Sequence, residues 1–315
     1  MKIIDFNTIR NLKVSPQYCV NWVDEALRIK YSSQLPKKIS LVLNQGKIFY
    51  NTMPCLIPEI KRFGVKEVTR YPDRTPSISG DMLLYDLNTG ALLTLMDGNW
   101  ITAMRTGAVA AHSINLLKKE GALNYSFLGL GNTARATLLC LISSNPSRVF
   151  NVKLLKYKNQ AEEFILRFSD HGNLSFTIVD NKEELIRGAD VIVSCVTVAE
   201  DLIGEDEWFE KGVLVVPIHT RGFQNCDLFF DKVFADDEDH VKNFKYFNDF
   251  KQFSEVAKVV LGYDRGRENN EERILIYNIG IALHDVYFAS KIYDLVRLNI
   301  SDNIALNTSL ENFWI

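Results

Sequence analysis

The sequence predicts an α/β protein, with a Rossmann-type dinucleotide-binding half following a β-rich stretch. Three observations carry this. The apolar run Asn124 to Leu128 reads as a strand that enters Gly129-Leu130-Gly131-Asn132-Thr133-Ala134 and then a helix from Ala134 to Ile142. Strand patterns at 125–129, 152–155, 175–179, 190–196, 213–218 and 232–235 alternate with helical patterns, as a parallel sheet with crossover helices requires. Between Ile39 and Met96 the pattern is instead short strands separated by turn residues.

In chain order, residues 1–35 hold an amphipathic packing helix around Val20 to Leu27. Strands are expected at Ile39 to Leu43, Lys47 to Asn51 and Gly64 to Arg70. A hairpin follows, with arms Asp81 to Asp86 and Ala91 to Met96 joined through Asn88-Thr89-Gly90. The chain then passes into an Ala- and Gly-rich helix with Asn99 as N-cap. Arg105 falls in its early turns, where its stem alone would carry the guanidinium to solvent.

The Gly-x-Gly-x-x-Ala turn has a physical reading. Gly129 allows the tight turn and Gly131 lets backbone N–H groups, with those of Asn132 and Thr133, approach a pyrophosphate. Ala134 lets the helix pack on the strand, and the helix N-terminus supplies the positive end. An acidic residue closing the second strand would select NAD through the ribose hydroxyls. Here that strand ends Leu154-Leu155-Lys156-Tyr157-Lys158, and Asp170 and Asp180 lie too far along to serve. Lys156 or Lys158 would meet a 2′-phosphate instead, so among NAD(P) cofactors the expectation leans to NADP(H).

Composition narrows the class. A chain of 315 residues, 47% hydrophobic, can bury a sizeable core and is expected to form two domains. A net charge of −3 implies no basic face for nucleic acid. The N-terminal residues lack an apolar core of signal-peptide length and no apolar run approaches a membrane span, so a cytoplasmic protein without a membrane partner is expected. The five cysteines, Cys19, Cys55, Cys140, Cys195 and Cys226, show no metal-ligand or disulfide spacing. No metal is expected.

The run Gly80 to Ala108, with Tyr85-Asp86-Leu87-Asn88-Thr89-Gly90, Met96-Asp97-Gly98 and Ile101-Thr102-Ala103-Met104-Arg105-Thr106, resembles the hallmark segment of the ornithine cyclodeaminase/μ-crystallin family. Gly64-Val65-Lys66 is similar to that family's Gly-x-Lys strand, Gly188 to Val193 to the start of its fourth Rossmann strand, and Ile279-Gly280-Ile281-Ala282-Leu283-His284-Asp285 to its late helix. The resemblance covers nearly the whole chain. It implies a substrate and dimerisation domain of residues 1–110 plus 274–315, with a Rossmann domain, 111–273, inserted in it, and a homodimer.

The resemblance also implies roles. Arg105 and Lys66 occupy the places that grip the α-carboxylate of an amino-acid substrate, and Lys38, or Lys37 beside it, that of a further basic residue. A planar guanidinium holds a carboxylate bidentately, and a second cation neutralises it in a dry pocket. Thr106 and Gly280 join the cofactor set. Thr106 and Thr89 would add hydroxyl contacts or serve packing and turns; Asp285 would orient the site or cap its helix. In cyclodeaminases the fifth-strand segment carries a water-activating aspartate and then a lysine. Aligned on Gly222, those places hold His219 and Phe223, and no carboxylate occurs between Pro217 and Asn225. Imidazole, with a reference pKa of about 6.5, suits proton transfer near neutrality.

Together these imply hydride transfer between NAD(P) and the α-carbon of a small amino acid or its imine. Lys66 and Arg105 would hold substrate and His219 would move the proton. Imine reduction or dehydrogenation is favoured over ornithine cyclodeamination. Two rivals are a protein that binds NADPH without turnover, and a synthase joining two amino acids for a siderophore-type precursor.

Overall fold

The computed structural model describes residues 1–196, 202–219 and 227–298. The expectations resting on Gly222 and Phe223, on Cys226, and on the tail 299–315 lie outside the described residues. The chain divides into two units. One comprises Met1–Lys13, Tyr31–Thr102 and the segment from Asp285; the other comprises Val14–Lys30 and Ala103–His284.

The first unit is built on a six-stranded sheet made of β1 (Lys2–Ile4), β2 (Ile39–Leu43), β3 (Ile48–Ile57), β4 (Arg62–Arg70), β5 (Ile78–Asp86) and β6 (Leu92–Asp97). Their order is β1-β6-β5-β4-β3-β2. β1 joins β6 in parallel and the remaining pairs are antiparallel. β2 has the expected bounds and β6 lies one residue later than expected, whereas β3, β4 and β5 are longer because their mutual ladders continue beyond the sequence patterns. Period-two burial then sorts them: Met53, Cys55 and Ile57 of β3, Lys66 and Val68 of β4, and Met82 and Leu84 of β5 face inward. Gly64 passes close to Val286 at the start of the segment 285–296, which Arg62 ties down through Asp294 at 2.7 Å and the Ser290 hydroxyl at 2.6 Å.

The β5–β6 turn is held by the Asp86 carboxylate, which accepts from the backbone of Asn88 and Thr89 and from the Thr89 hydroxyl at 2.9 Å. Thr89 thus has a turn role. The helix that follows runs Asn99–Leu117, one residue earlier than expected. Asn99 is its first residue rather than its cap, because the Asp97 carboxylate takes the Asn99 backbone N–H at 2.9 Å.

The second unit carries an eight-stranded parallel sheet: β7 (Asn124–Leu128), β8 (Phe150–Leu155), β9 (Leu174–Val179), β10 (Val191–Ser194), β11 (Leu214–Pro217), β12 (Lys232–Ala235), β13 (Phe253–Glu255) and β14 (Ile274–Tyr277). The order β13-β12-β14-β11-β10-β7-β8-β9 reverses direction between β7 and β10, the switch point where ligands bind in open α/β sheets. β10, β11, β12 and β14 are buried along their whole length, which explains why they are apolar apart from Ser194 at the end of β10 and Lys232 at the start of β12. β13 and β14 add to the six strands expected here; each is so short that no period shows. The helix Pro16–Arg28 belongs to this unit, burying Cys19, Val20, Trp22, Val23, Ala26 and Leu27.

Candidate active-site elements

In the second unit the turn after β7 has the expected geometry. Gly129 adopts φ +80°, and a Cβ there would sit 2.6 Å from the Cys195 carbonyl carbon, so both its handedness and its crowding demand glycine. Gly131 is the N-cap of the helix Asn132–Ser144, offers no side-chain cap, and has open space where a Cβ would be. Asn132 is exposed, Thr133 half-buried and Ala134 fully buried against the strand. A helix N-terminus capped by no side chain, reached through two glycines, fits a pyrophosphate. Those residues would hold it.

At the end of β8, Lys156 is exposed and lies 3.7 Å from the Asp180 carboxylate. Asp180 closes β9, and sheet pairing brings together what sequence distance separates: the Lys156 backbone N–H bonds to the Val179 carbonyl at 2.9 Å. Lys158 takes φ +52° and lays its ammonium over the exposed Tyr157 ring, 5.4 Å from the centroid. Both lysines are exposed just beyond β8, with the Asp180 carboxylate beside Lys156.

Arg105 does not snorkel to water. It is 7% exposed, and its guanidinium lies close to Gly280, where an added Cβ would come within 2.5 Å of one terminal nitrogen. Gly280 has φ +91°. The helix can enter so deeply because its next residues are small: a Cβ on Gly107 would collide with Ala136 at 2.5 Å. Thr106 is half-buried beside them.

His219 follows β11, and its Nε2 lies 3.0 Å from the Ser194 hydroxyl at the end of β10. Ladder pairing of Ser194 with both Pro217 and Leu128 puts this pair at the same sheet end as the Gly129 turn. Burial pushes the His219 pKa down to about 4, so the ring is neutral at pH 7. That corrects the expectation of a group titrating near neutrality. Ser194 was not singled out from the sequence; its position closing an apolar Rossmann strand was the available signal.

In the first unit, Lys66 is buried on β4 and donates to the Asp285 carboxylate at 2.7 Å; the two are 1% and 0% exposed. Asp285 stands in the first turn of the helix Ala282–Val296, where the helix dipole favours a carboxylate. Asp285 thus both pairs with Lys66 and sits in the first turn of its helix. Lys38, half-buried, and Lys37, exposed, precede β2.

Among the described residues no group of three His, Cys, Asp or Glu side chains is placed to hold a metal, and no helix is long and apolar enough to cross a membrane. Of the other histidines, His112 lies 3.2 Å from Asp24, whose pKa it helps to lower to about 2.

The chain is similar to the nodulation efficiency protein of Rhizobium meliloti, 27% identical over 83% of this chain and 84% of that one. It is likewise similar to a Δ1-pyrroline-2-carboxylate reductase of Bacillus thuringiensis, 26% identical over 93% and 96%. In fold it matches the Thermococcus litoralis Δ1-pyrroline-2-carboxylate reductase, solved with NADH and L-proline, at a TM-score of 0.83 and 22% identity, over 96% of this chain and all of that one. Residues 5–299 match the model of the ornithine cyclodeaminase/mu-crystallin family, and the chain belongs to that family.

Proposed function

We propose that this protein is an NAD(P)-dependent oxidoreductase acting at the α-carbon of a small amino acid or its cyclic imine, with reduction of the imine as the favoured direction. The observation that carries this reading is a buried guanidinium, Arg105, in the same unit as the open, glycine-lined helix N-terminus at Gly129 to Ala134. A guanidinium is a planar fork of donors that matches a carboxylate bidentately, and a substrate α-carboxylate is such a group.

A bound nicotinamide supplies or accepts the hydride. Arg105 and Lys66 hold the carboxylate so that Cα is fixed for transfer, which is the proximity contribution. Lys38 adds a further cation. His219, neutral at rest and hydrogen-bonded to Ser194, takes the proton from the amine in oxidation and returns it to nitrogen in reduction. Thr106 and Gly280 border the cofactor, and Lys156 or Lys158 favours NADP(H) through the 2′-phosphate.

Two further proposals concern setting. A homodimer is supported by β2, the edge strand, whose Ile39, Leu41, Val42 and Leu43 are all 57–67% exposed. A cytoplasmic location suits soluble-metabolite chemistry.

The test is calorimetric titration with NADPH and NADH, followed by a spectrophotometric screen of Δ1-pyrroline-2-carboxylate, L-proline, L-alanine and L-ornithine on the preferred cofactor. Binding with turnover is expected, with ornithine a poor substrate. Binding without turnover on any amino or imino acid moves the conclusion to a dinucleotide-binding protein, the reading that the missing aspartate favours. Absence of dinucleotide binding refutes both.

A further inference from the structure

Asp236 follows β12 and is 1% exposed. β12 pairs with β14 through Ala235 and Tyr277, and the Asp236 backbone N–H bonds the Tyr277 carbonyl, so the residue is fixed beside the stretch Asn278-Ile279-Gly280. Its Oδ2 accepts the Gly280 backbone N–H at 2.5 Å. Its Oδ1 has no hydrogen-bond partner among the described residues.

That arrangement is a poor way to gain stability. A buried carboxyl with one oxygen unpartnered carries a desolvation cost that a single N–H bond does not repay. What the bond does is geometric. It fixes Gly280 at φ +91°, a conformation that side-chain-bearing residues rarely adopt, and so sets the surface against which the Arg105 guanidinium lies. The guanidinium nitrogens are close enough to Gly280 that a single added carbon would displace them. A shift of this turn is therefore a shift of Arg105.

We propose that Asp236 is a positioning residue: by holding the Gly280 amide it seats the Arg105 guanidinium in the orientation that receives a substrate carboxylate. This rests on the reading of Arg105 as the carboxylate clamp. Asparagine keeps an acceptor of the same shape for the Gly280 N–H, whereas alanine does not. Burial raises the Asp236 pKa, so a neutral isostere is a mild change at this place.

The experiment is a double-mutant cycle read by binding rather than turnover. The probe is pyrrole-2-carboxylate, a planar and unreactive ring carboxylate, titrated calorimetrically into the protein saturated with its preferred dinucleotide; the affinity for that dinucleotide is the control on folding. Arg105→Ala and Asp236→Ala are each expected to weaken the probe by about tenfold or more, and the double variant to bind no worse than about threefold below Arg105→Ala. Asp236→Asn is expected to stay within about threefold of wild type, with dinucleotide affinity unchanged throughout. Where Asp236→Ala does not fold, Asp236→Val, which fills the space but offers the Gly280 N–H no acceptor, takes its place, with a loss coupled to Arg105 in the same way. Probe affinity unchanged in Asp236→Ala, or losses that multiply in the double variant, overturn the positioning role while leaving the clamp intact. A wild type that does not bind the probe, or an Arg105→Ala variant that binds it as well as wild type, overturns the clamp itself and this inference with it.

Discussion

The neutrality of His219 is open to direct measurement. In the unfolded chain a histidine takes a proton at about pH 6.5, whereas burial delays this in the folded protein until about pH 4. Between those values the unfolded state binds more protons than the folded state, so stability rises with pH across this window and falls as the solution is acidified through it. Each pH unit corresponds to about 1.4 kcal/mol. From pH 6.5 to pH 5 the full effect is about 2 kcal/mol, and partial solvent screening at a half-buried ring reduces it to about 1–2 kcal/mol. The assay has two parts. Imidazole resonances, assigned by their loss in His219→Gln, should show one histidine titrating near pH 4. Urea unfolding at pH 7 and pH 5 should cost wild type about 1–2 kcal/mol more than His219→Gln, whose glutamine does not titrate. A His219 resonance that titrates between pH 6 and 7, or equal pH dependence in the two proteins, refutes the claim that the ring rests neutral for want of solvation.

Three other outcomes follow from the same geometry. Gly129→Ala should abolish dinucleotide binding in calorimetry while leaving a folded protein by circular dichroism, since its Cβ would have to occupy space 2.6 Å from the Cys195 carbonyl carbon. Lys66→Met should cost about 3–5 kcal/mol in urea unfolding by stranding the buried Asp285 carboxylate, and the double variant Lys66→Met with Asp285→Leu should recover much of that loss. Removing both exposed lysines in Lys156→Ala with Lys158→Ala should weaken NADPH by about tenfold, or roughly 1.4 kcal/mol, with NADH unchanged; equal losses for both would mean that neither lysine meets a 2′-phosphate.

What the sequence made legible was local. The Gly129-to-Ala134 turn is a run of adjacent residues whose φ angles and packing are decided within one strand–turn–helix unit, and the structure has Gly129 where its handedness requires. The arms and turn of the β5–β6 hairpin were equally visible, because Asp86, Thr89 and Gly90 act on their own neighbours. Partners distant in the chain were not. Period two puts Lys66 on the same side as Gly64 and Val68, but that this side is the buried one depends on Asp285, 219 residues on. The fate of Arg105 depends on Gly280 and on Ala136 yielding room to Gly107. β14 is four apolar residues whose character as a central strand appears only when β11 and β12 flank it. Asp180 was discounted by its distance along the chain, although neighbouring strands end side by side.

The family resemblance puts His219 where cyclodeaminases carry an aspartate, and under the proposed function that difference has a consequence that geometry and charge decide together. A carboxylate at the end of β11 would be a permanent anion in a half-buried place, and would attract a substrate bearing a second ammonium group, as ornithine does. A neutral imidazole sharing a hydrogen bond with Ser194 exerts no such pull, and can donate or accept according to its tautomer. Burial disfavours its protonation, so the ring rests neutral and keeps a lone pair that can accept a proton. The proposed function therefore expects poor use of substrates that carry charge at both ends and better use of compact ones whose only fixed charge is the α-carboxylate, the group proposed to meet the buried guanidinium of Arg105.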